Sequence, residues 1–423
     1  MERGRREKGR RGGSQADAPS PQQAENDGRR PAARRLGIGP VQAGDYNKRL
    51  VMRMIGSGDG VSRADLTRSI GLTPQAVSVI VADLLDRGYL VERDRRRGGR
   101  GYPSRQYTVN PEGAFAFGVN LDRDRLIMVL VDLEGTIRSS QHATVDFPEP
   151  ELVFDMISAN ARDLTLEAGV DWQKIVGLGI GIPGRYDPRH AVLLPTMDSP
   201  AWKDVAVAEE LQRRLGLDIY WDNDATAAAI GERFRGAGVG HDNFLYVHLG
   251  VGIGSGLVLG GEPFRGWASN AGELGRVRIS PSRPVPGLDN PRPRLSEVAS
   301  FVALQNRLAA AEKAVSTPEE ISALLAAGDP DLAAWIHDAS RALTQALCGV
   351  VYLLDLEMFV FGGVFPADVT DELASRVQHG FETRLFNWHC VPLVARGMVG
   401  ANAGALGAGT LPLHASFAPG VQR

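Results

Sequence analysis

The stretch from Ile219 to Gly261, IYWDNDATAAAIGERFRGAGVGHDNFLYVHLGVGIGSGLVLGG, constrains the fold of this chain more than any other. A short apolar run ends in Asp222-Asn223-Asp224-Ala225, and an alanine-rich helical pattern follows. A second apolar strand, Phe244 to Leu249, then feeds Gly250-Val251-Gly252-Ile253-Gly254-Ser255-Gly256. A carboxylate and an amide at a strand end can hold sugar hydroxyls through paired acceptor and donor contacts, and the carboxylate can also take a hydroxyl proton. Glycine at every second position lets backbone N–H groups approach an anion, usually a phosphate. A tight β-hairpin without a ligand accounts for the same glycines. Taken together, the two motifs read as a polyol site facing a phosphate site.

A chain of 423 residues can bury a large core and divides into two or three domains. No run of about 18 apolar residues occurs, so no membrane span is expected, and the arginine-rich N-terminus lacks the apolar segment of a signal peptide. Cys348 and Cys390 make neither a disulfide framework nor a metal cluster, which leaves the cytoplasm as the expected compartment. The net charge of −3 hides an asymmetry. Residues 1–110 hold 22 Lys/Arg against 12 Asp/Glu, a net of +10, and the remainder holds 25 against 38, a net of −13. A basic head on an acidic body points to a polyanionic partner for the head alone.

Residues 1–40 are rich in Arg, Gly, Pro and Gln without hydrophobic periodicity, and are expected to form a disordered basic arm. Residues 41–112 read as a small helical domain with a hairpin. Leu50, Val51, Met54 and Ile55 recur at helical spacing, and Ser62-Arg63-Ala64-Asp65 opens a second helix in the manner of a capping box. Thr73-Pro74 supplies an N-cap and a first-turn proline for a third helix, which buries Val77, Ile80, Val81, Leu84 and Leu85. Its outer face begins Gln75, Ala76, Ser78, Val79, short or polar side chains able to reach base edges in a major groove. Two strands, Tyr89–Val91 and Arg105–Val109, flank a tip holding Arg93, Arg95, Arg96, Arg97 and Arg100, suited to phosphates or the minor groove. Helix order, the Thr73 cap and the basic hairpin together predict a winged helix-turn-helix that binds double-stranded DNA. Any one of them alone fits many small domains.

From residue 113 to 423 an α/β pattern takes over. Strands are expected at Phe115–Leu121, Leu126–Asp132, Ile137–Thr144 and Ile175–Ile182, and helices at Glu151–Ala168 and Val205–Leu215. Later helices are expected from Glu297 to about Lys313, at Pro318–Ala327, at Pro330–Leu354 and across the small-residue tail Gly400–Leu411, with a strand and glycine turn at Phe359–Gly363. A division into two lobes is expected near 225–240.

These motifs, in this order, resemble the ROK family, which groups sugar-responsive repressors with sugar kinases. The resemblance covers roughly residues 45 to 412. It is carried by the helix-turn-helix and wing, Gly179-Ile180-Gly181-Ile182-Pro183-Gly184, Asn223-Asp224-Ala225, Gly250–Gly256, Gly272-Glu273-Leu274-Gly275, Leu295-Ser296-Glu297 and Gly362-Gly363. It implies a two-lobed actin-like (ribonuclease H-like) sugar-kinase fold behind the winged helix-turn-helix. It also implies that Asp224 stands where the kinases keep their catalytic base, and that Asn223, Glu273 and Glu297 match sugar-contacting positions.

Three departures from the kinase pattern stand out. The kinases' Asp-x-Gly-Gly-Thr phosphate loop is Asn120-Leu121-Asp122-Arg123-Asp124 here. An amide replaces the leading carboxylate, and Asp122 and Asp124 add negative charge where phosphates would lie. The family's histidine is Arg276, which either pairs with Glu273, Glu297 or another acid or holds an anionic group of a ligand. The zinc loop is replaced by residues 277–294, which contain no Cys or His, whereas structural zinc takes about four N/S ligands. No metal, cofactor or catalysis is therefore expected, and Gly250, Gly252, Gly254 and Gly256 read as a vestigial phosphate loop.

The expectation is a DNA-binding transcriptional regulator, a repressor. Its body would bind a sugar or sugar derivative through Asn223, Asp224, Glu273, Arg276 and Glu297, and it would act as a homodimer or tetramer on an inverted repeat. The alternatives are an ATP-dependent sugar kinase using Asp224, and a DNA-binding dimer that senses nothing.

Overall fold

A computed structural model describes residues 47–48, 50–52, 54–56, 60–93, 105–146, 148–187, 192–195, 200–202, 205–281, 284–385 and 390–417. The arginine arm and Arg95, Arg96, Arg97 and Arg100 of the expected wing tip lie outside them.

The head begins with helical residues between 47 and 56 (α1), then β1 Val61–Ser62, α2 Arg63–Ile70, α3 Pro74–Asp86, β2 Leu90–Arg93 and β3 Gln106–Val109. The capping box forms as the sequence predicts: Asp65 N–H donates to Ser62 Oγ at 3.2 Å, and Ser62 N–H returns to Asp65 Oδ2 at 3.2 Å. Gly71 ends α2 in the left-handed conformation at φ 72°. Thr73 Oγ1 caps α3 by accepting from Ala76 N–H at 3.2 Å, with Pro74 in the first turn. Val77, Ile80, Val81 and Leu84 point inward, and Leu85 is half-buried. The strands order β1-β3-β2; the two-residue β1 was not expected from sequence.

The body holds two five-stranded sheets. The first takes β4 Phe115–Leu121, β5 Arg125–Asp132, β6 Ile137–Thr144, β7 Ile175–Ile182 and β10 Ile219–Asn223 in the order β10-β7-β4-β5-β6. β4, β5 and β6 form an antiparallel meander, while β7 and β10 run parallel to β4. The helices α4 Pro150–Ala168 and α5 Val207–Leu215 are joined to it, and a short hairpin, β8 Gly184–Asp187 and β9 Val192–Pro195, leaves β7. After α6 Asp224–Arg235 comes the second sheet, from β11 Phe244–Leu249, β12 Ile253–Leu259, β13 Glu262–Pro263, β14 Met358–Gly363 and β15 Leu393–Arg396, ordered β13-β12-β11-β14-β15. Its helices are α7 Leu295–Ala299, α8 Phe301–Ala310, α9 Pro318–Ala326, α10 Pro330–Leu354 and α11 Ala367–Arg384. Each sheet combines three antiparallel strands with parallel strands reached through helices, which is the actin-like arrangement.

Two expected elements differ. The single helix from Glu297 to about Lys313 is broken at Ser300, whose extended backbone (ψ 169°) and hydroxyl restart the helix as α8 by accepting from Ala303 N–H. The tail helix α12 is Ala403–Phe417 and continues past Leu411.

α12 explains the glycines of the first lobe. A Cβ on Gly118 of β4 would lie 2.0 Å from Ala405 O, and one on Gly179 of β7 would lie 1.8 Å from Ala408 O. Their bare backbone is the seat of α12. The same helix crosses α6 through Gly407 and Gly231 and ends at Phe417, whose ring meets Tyr89 of the head edge-on at 4.7 Å. Asn110 Nδ2 donates to Gly88 O at 2.6 Å, and Ala114, Ala116 and Leu413 share one apolar cluster with Val81 and Leu84. The head is packed on the body.

Candidate functional site

The outer face of α3 carries Gln75 and Val79 exposed, Val79 at 70%, with Ala76 and Ser78 half-buried between them. Arg93 is exposed at the end of β2, in the head's sheet.

The second candidate surface lies where β10 ends and α6 begins. β10 pairs Asp222 with Gly181 and Asn223 with Ile182 of β7. Asn223 is committed as the cap of α6. Its Oδ1 accepts from Ala225 N–H at 3.1 Å and Thr226 N–H at 3.3 Å, and its Nδ2 donates to Gly184 O at 3.1 Å. Asp224 follows as the first helical residue. Part of it still reaches solvent, but dense packing round the carboxyl pushes its pKa up. The nearby His248 opposes that shift and Asp122 reinforces it. Tyr246, buried beneath, has its phenol pushed up by burial and by Glu232 and Asp224.

β12 joins the other expected residues to this point. The Cβ that Gly254 lacks would lie 3.1 Å from Ala225 Cβ, and one on Gly256 would lie 2.4 Å from Ala225 O. On the far side of the strand, Gly272 and Gly275 approach Ser255 O and Ile253 O so closely that a Cβ would sit 2.1 and 2.2 Å away, and Ser296 Oγ accepts from Ile253 N–H at 3.0 Å. Glu273, Arg276 and Glu297 are thereby held to β12, the strand that Ala225, next to Asp224, also abuts. Glu273 and Arg276 form an ion pair, and Glu297 accepts from Arg294 N–H at 2.5 Å.

Of the expected phosphate loop, only 250–252 is a turn. Leu249 pairs with Ile253, Gly250 N–H donates to Gly252 O at 2.9 Å, and Gly250 O accepts from Phe301 N–H at 2.9 Å. Gly254 and Gly256 lie within β12, where α6 needs their bare backbone. At the other hairpin, Asp122 N–H donates to Arg125 O at 2.8 Å and Asp122 Oδ1 accepts from Arg123 N–H at 2.7 Å.

Arg265 and His248 were not singled out from sequence. Arg265, just after β13, places Nε and Nη2 at 3.0 and 2.5 Å from Asp222 Oδ2, joining the edge strands of the two sheets. His248 and Asn120 carry buried polar atoms without a partner. Only pairing across strands exposes these roles. Among the described residues, no group of three or more His, Cys, Asp or Glu side chains is placed to hold a metal ion, and no helix is long and apolar enough to cross a membrane.

Comparison with known proteins follows the same outline. The sequence pattern of the MarR family matches residues 47–101, the head. A xylose repressor of Bacillus subtilis is 26% identical over 233 residues, 55% of this chain and 60% of the repressor. A glucokinase of Streptomyces coelicolor is 29% identical over 317 residues, 70% of this chain and 96% of the kinase. A crystal structure described as a ROK family transcriptional regulator, homolog of the E. coli MLC protein, superposes with a TM-score of 0.72 over 89% of this chain and 98% of that one. At 22% identity it shows the shared fold. The pattern of the ROK family matches residues 116–414, well over half of the 423, and the chain belongs to the ROK family.

Proposed function

We propose that this chain is a sugar-responsive, DNA-binding transcriptional repressor whose kinase-like body is a sensor. The observation that carries the reading is the union of a head presenting Gln75, Ala76, Ser78 and Val79 outward on α3 with a body whose C-terminal helix touches both the sugar-site helix and the head. α6 starts at Asp224, lies along α12 through Gly231 and Gly407, and α12 ends against Tyr89. A sugar held by Asp224 with Glu273 and Glu297 would shift α6, and α12 would pass that shift to the head. The ligand acts only through its different affinity for the two arrangements. One short helix reads few bases, so a two-fold dimer on an inverted repeat is the assembly this reading requires. Because relatives are named xylose repressors, aldopentoses are the first effectors to test.

The kinase reading draws on Asp224 and on the glucokinase relatives. Against it stand the amide at Asn120, the carboxylates Asp122 and Asp124, and a β4–β5 turn whose Asp122 N–H is spent on Arg125 O. In-line transfer needs the γ-phosphate held by free N–H donors and a metal ion. Arg276, paired with Glu273, balances charge in this account and takes no anionic ligand.

The test is selection of genomic fragments by the purified protein at near-physiological salt. One inverted repeat upstream of carbohydrate genes is expected. Val79→Asp should abolish its selection, because a carboxylate at the groove floor repels phosphates and desolvates badly. Sequence-blind binding together with ATP-dependent sugar phosphorylation that Asp224→Asn abolishes would replace this reading with the kinase.

A further inference from the structure

His248 stands on β11 between Gly254 of β12 and Gly362 of β14, its partners in register. Both are glycine, so neither neighbouring strand offers a side chain beside the ring. A Cβ on Gly250 would lie 2.9 Å from His248 Nε2, and one on Gly254 would lie 3.9 Å from His248 Cβ and 3.1 Å from Ala225 Cβ. The imidazole thus sits between the 250–252 turn and the first residues of α6. Both ring nitrogens are buried, and neither has a hydrogen-bond partner among the described residues. Asn120 Oδ1, beside Gly181 of β7 where Asp224 also approaches, is buried and unpartnered as well. Buried imidazole nitrogens left unpaired by the protein are costly, and such a group persists where water or a ligand completes it.

The neighbours decide which ligand. The acidic groups here are Asp224 and the buried Asp122, and the other acids nearby, Asp222 and Glu273, are already paired with Arg265 and Arg276. Asp122 and Asp224 repel a phosphate ester. A carboxylate accepts only, whereas a neutral imidazole donates from one nitrogen and accepts at the other. Two adjacent hydroxyls satisfy that pair: one donates to Asp224, and its neighbour exchanges with His248.

We propose that His248 is a ligand-contacting residue that, with Asp224, holds a vicinal diol of an unphosphorylated sugar. This rests on the sensor reading above. The experiment is calorimetric titration of the full-length protein with aldopentoses and aldohexoses, their phosphate esters and the monodeoxy forms of whichever sugar binds. It is repeated for His248→Ala and for His248→Asn, which keeps a donor and an acceptor. Each variant's melting temperature without sugar checks that it is folded, and His248→Asn carries the test should the alanine variant not fold. The expected result is binding of the free sugar but not its phosphate ester, about 10- to 100-fold weaker in His248→Ala and less so in His248→Asn. For one monodeoxy sugar the penalty of the alanine variant should vanish, because the lost hydroxyl is the one His248 contacts. Equal affinity of wild type and both variants for a sugar that binds overturns the assignment of His248 while leaving the sensor standing. Preference for the phosphate ester overturns it too. Failure of the wild type to bind any free sugar overturns both.

Discussion

Gly407→Val is expected to leave the protein unfolded or trapped in aggregates, the largest effect of any single substitution in the body. A Cβ at Gly407 would lie 1.7 Å from Ala227 O and 2.7 Å from Gly231 N, and one at Gly231 would lie 2.3 Å from Ala403 O. These are backbone atoms of α6 and α12, so no rotamer relieves the clash. The other side of α12 is pinned by Gly118 and Gly179, which leaves the helix nowhere to retreat. Overpacking a yielding core costs about 1–3 kcal/mol, and a clash with fixed backbone on two sides lies at or above that range, against a total stability of about 5–15 kcal/mol. Even Gly407→Ala should lose about 3 kcal/mol in urea denaturation. Gly349 in α10 is the contrast, because nothing lies within 4 Å of its missing Cβ. Gly349→Ala should be stabilising by about 0.5–1 kcal/mol, since alanine costs less backbone entropy in a helix. Equal tolerance at the two sites would refute the α6–α12 packing.

The second large effect is expected at Glu232. This carboxylate near the end of α6 is 1% exposed and has no lysine or arginine partner among the described residues. It accepts from three backbone N–H groups instead: Ala237 at 2.8 Å, Met398 at 3.0 Å and Val399 at 2.9 Å. Gly236 and Gly397 leave room for its oxygens, and a Cβ at either would lie 1.9 or 2.6 Å from one of them. Glu232 therefore ties the helix that starts at Asp224 to the segment that launches α12. Glu232→Ala orphans three buried donors and should cost about 3–5 kcal/mol. Glu232→Gln should cost less, because its carbonyl keeps some of the contacts while its NH2 faces the rest. Chemical denaturation of both variants reads this directly, and a loss below 1 kcal/mol for alanine would contradict the role.

Local chemistry was legible from sequence alone. Thr73-Pro74, Ser62 with Asp65, and the strands of the meander follow from capping and alternation over a few residues. So does the placement of Asn223-Asp224 at a strand end. The Val369, Leu373, Val377, Phe381 spacing of α11 was equally available as a helical signal but was not read as one. The glycines show the limit of local reading. Gly254 and Gly256 resemble a phosphate cradle in sequence, yet they clear the path of α6. On β7, Gly177 and Gly179 face α12, and Gly181 faces Asp224 and Ala227 of α6. Which backbone a glycine admits depends on an element far along the chain, and no window of residues contains it. The same reason hid Arg265, 43 positions from Asp222, and His248, whose isolation follows from the two glycines its neighbouring strands happen to place beside it. In the break at Ser300, a hydroxyl cap outweighed a continuous helical pattern.

The measurement that tests the account most directly is fluorescence anisotropy of the full-length protein on its selected operator, titrated with unphosphorylated sugars, for wild type and Asp224→Asn. At least one sugar is predicted to weaken operator binding by about 5- to 150-fold in the wild type and to leave Asp224→Asn on the DNA. The variant should also be the more stable of the two above the carboxyl range. The raised pKa of Asp224 means that its ionised form is less favourable in the folded chain than in the unfolded one, so stability falls as pH rises through that range. Operator binding that no sugar alters, or that sugar weakens equally in Asp224→Asn, would contradict the claim that the kinase-like body senses a sugar through Asp224.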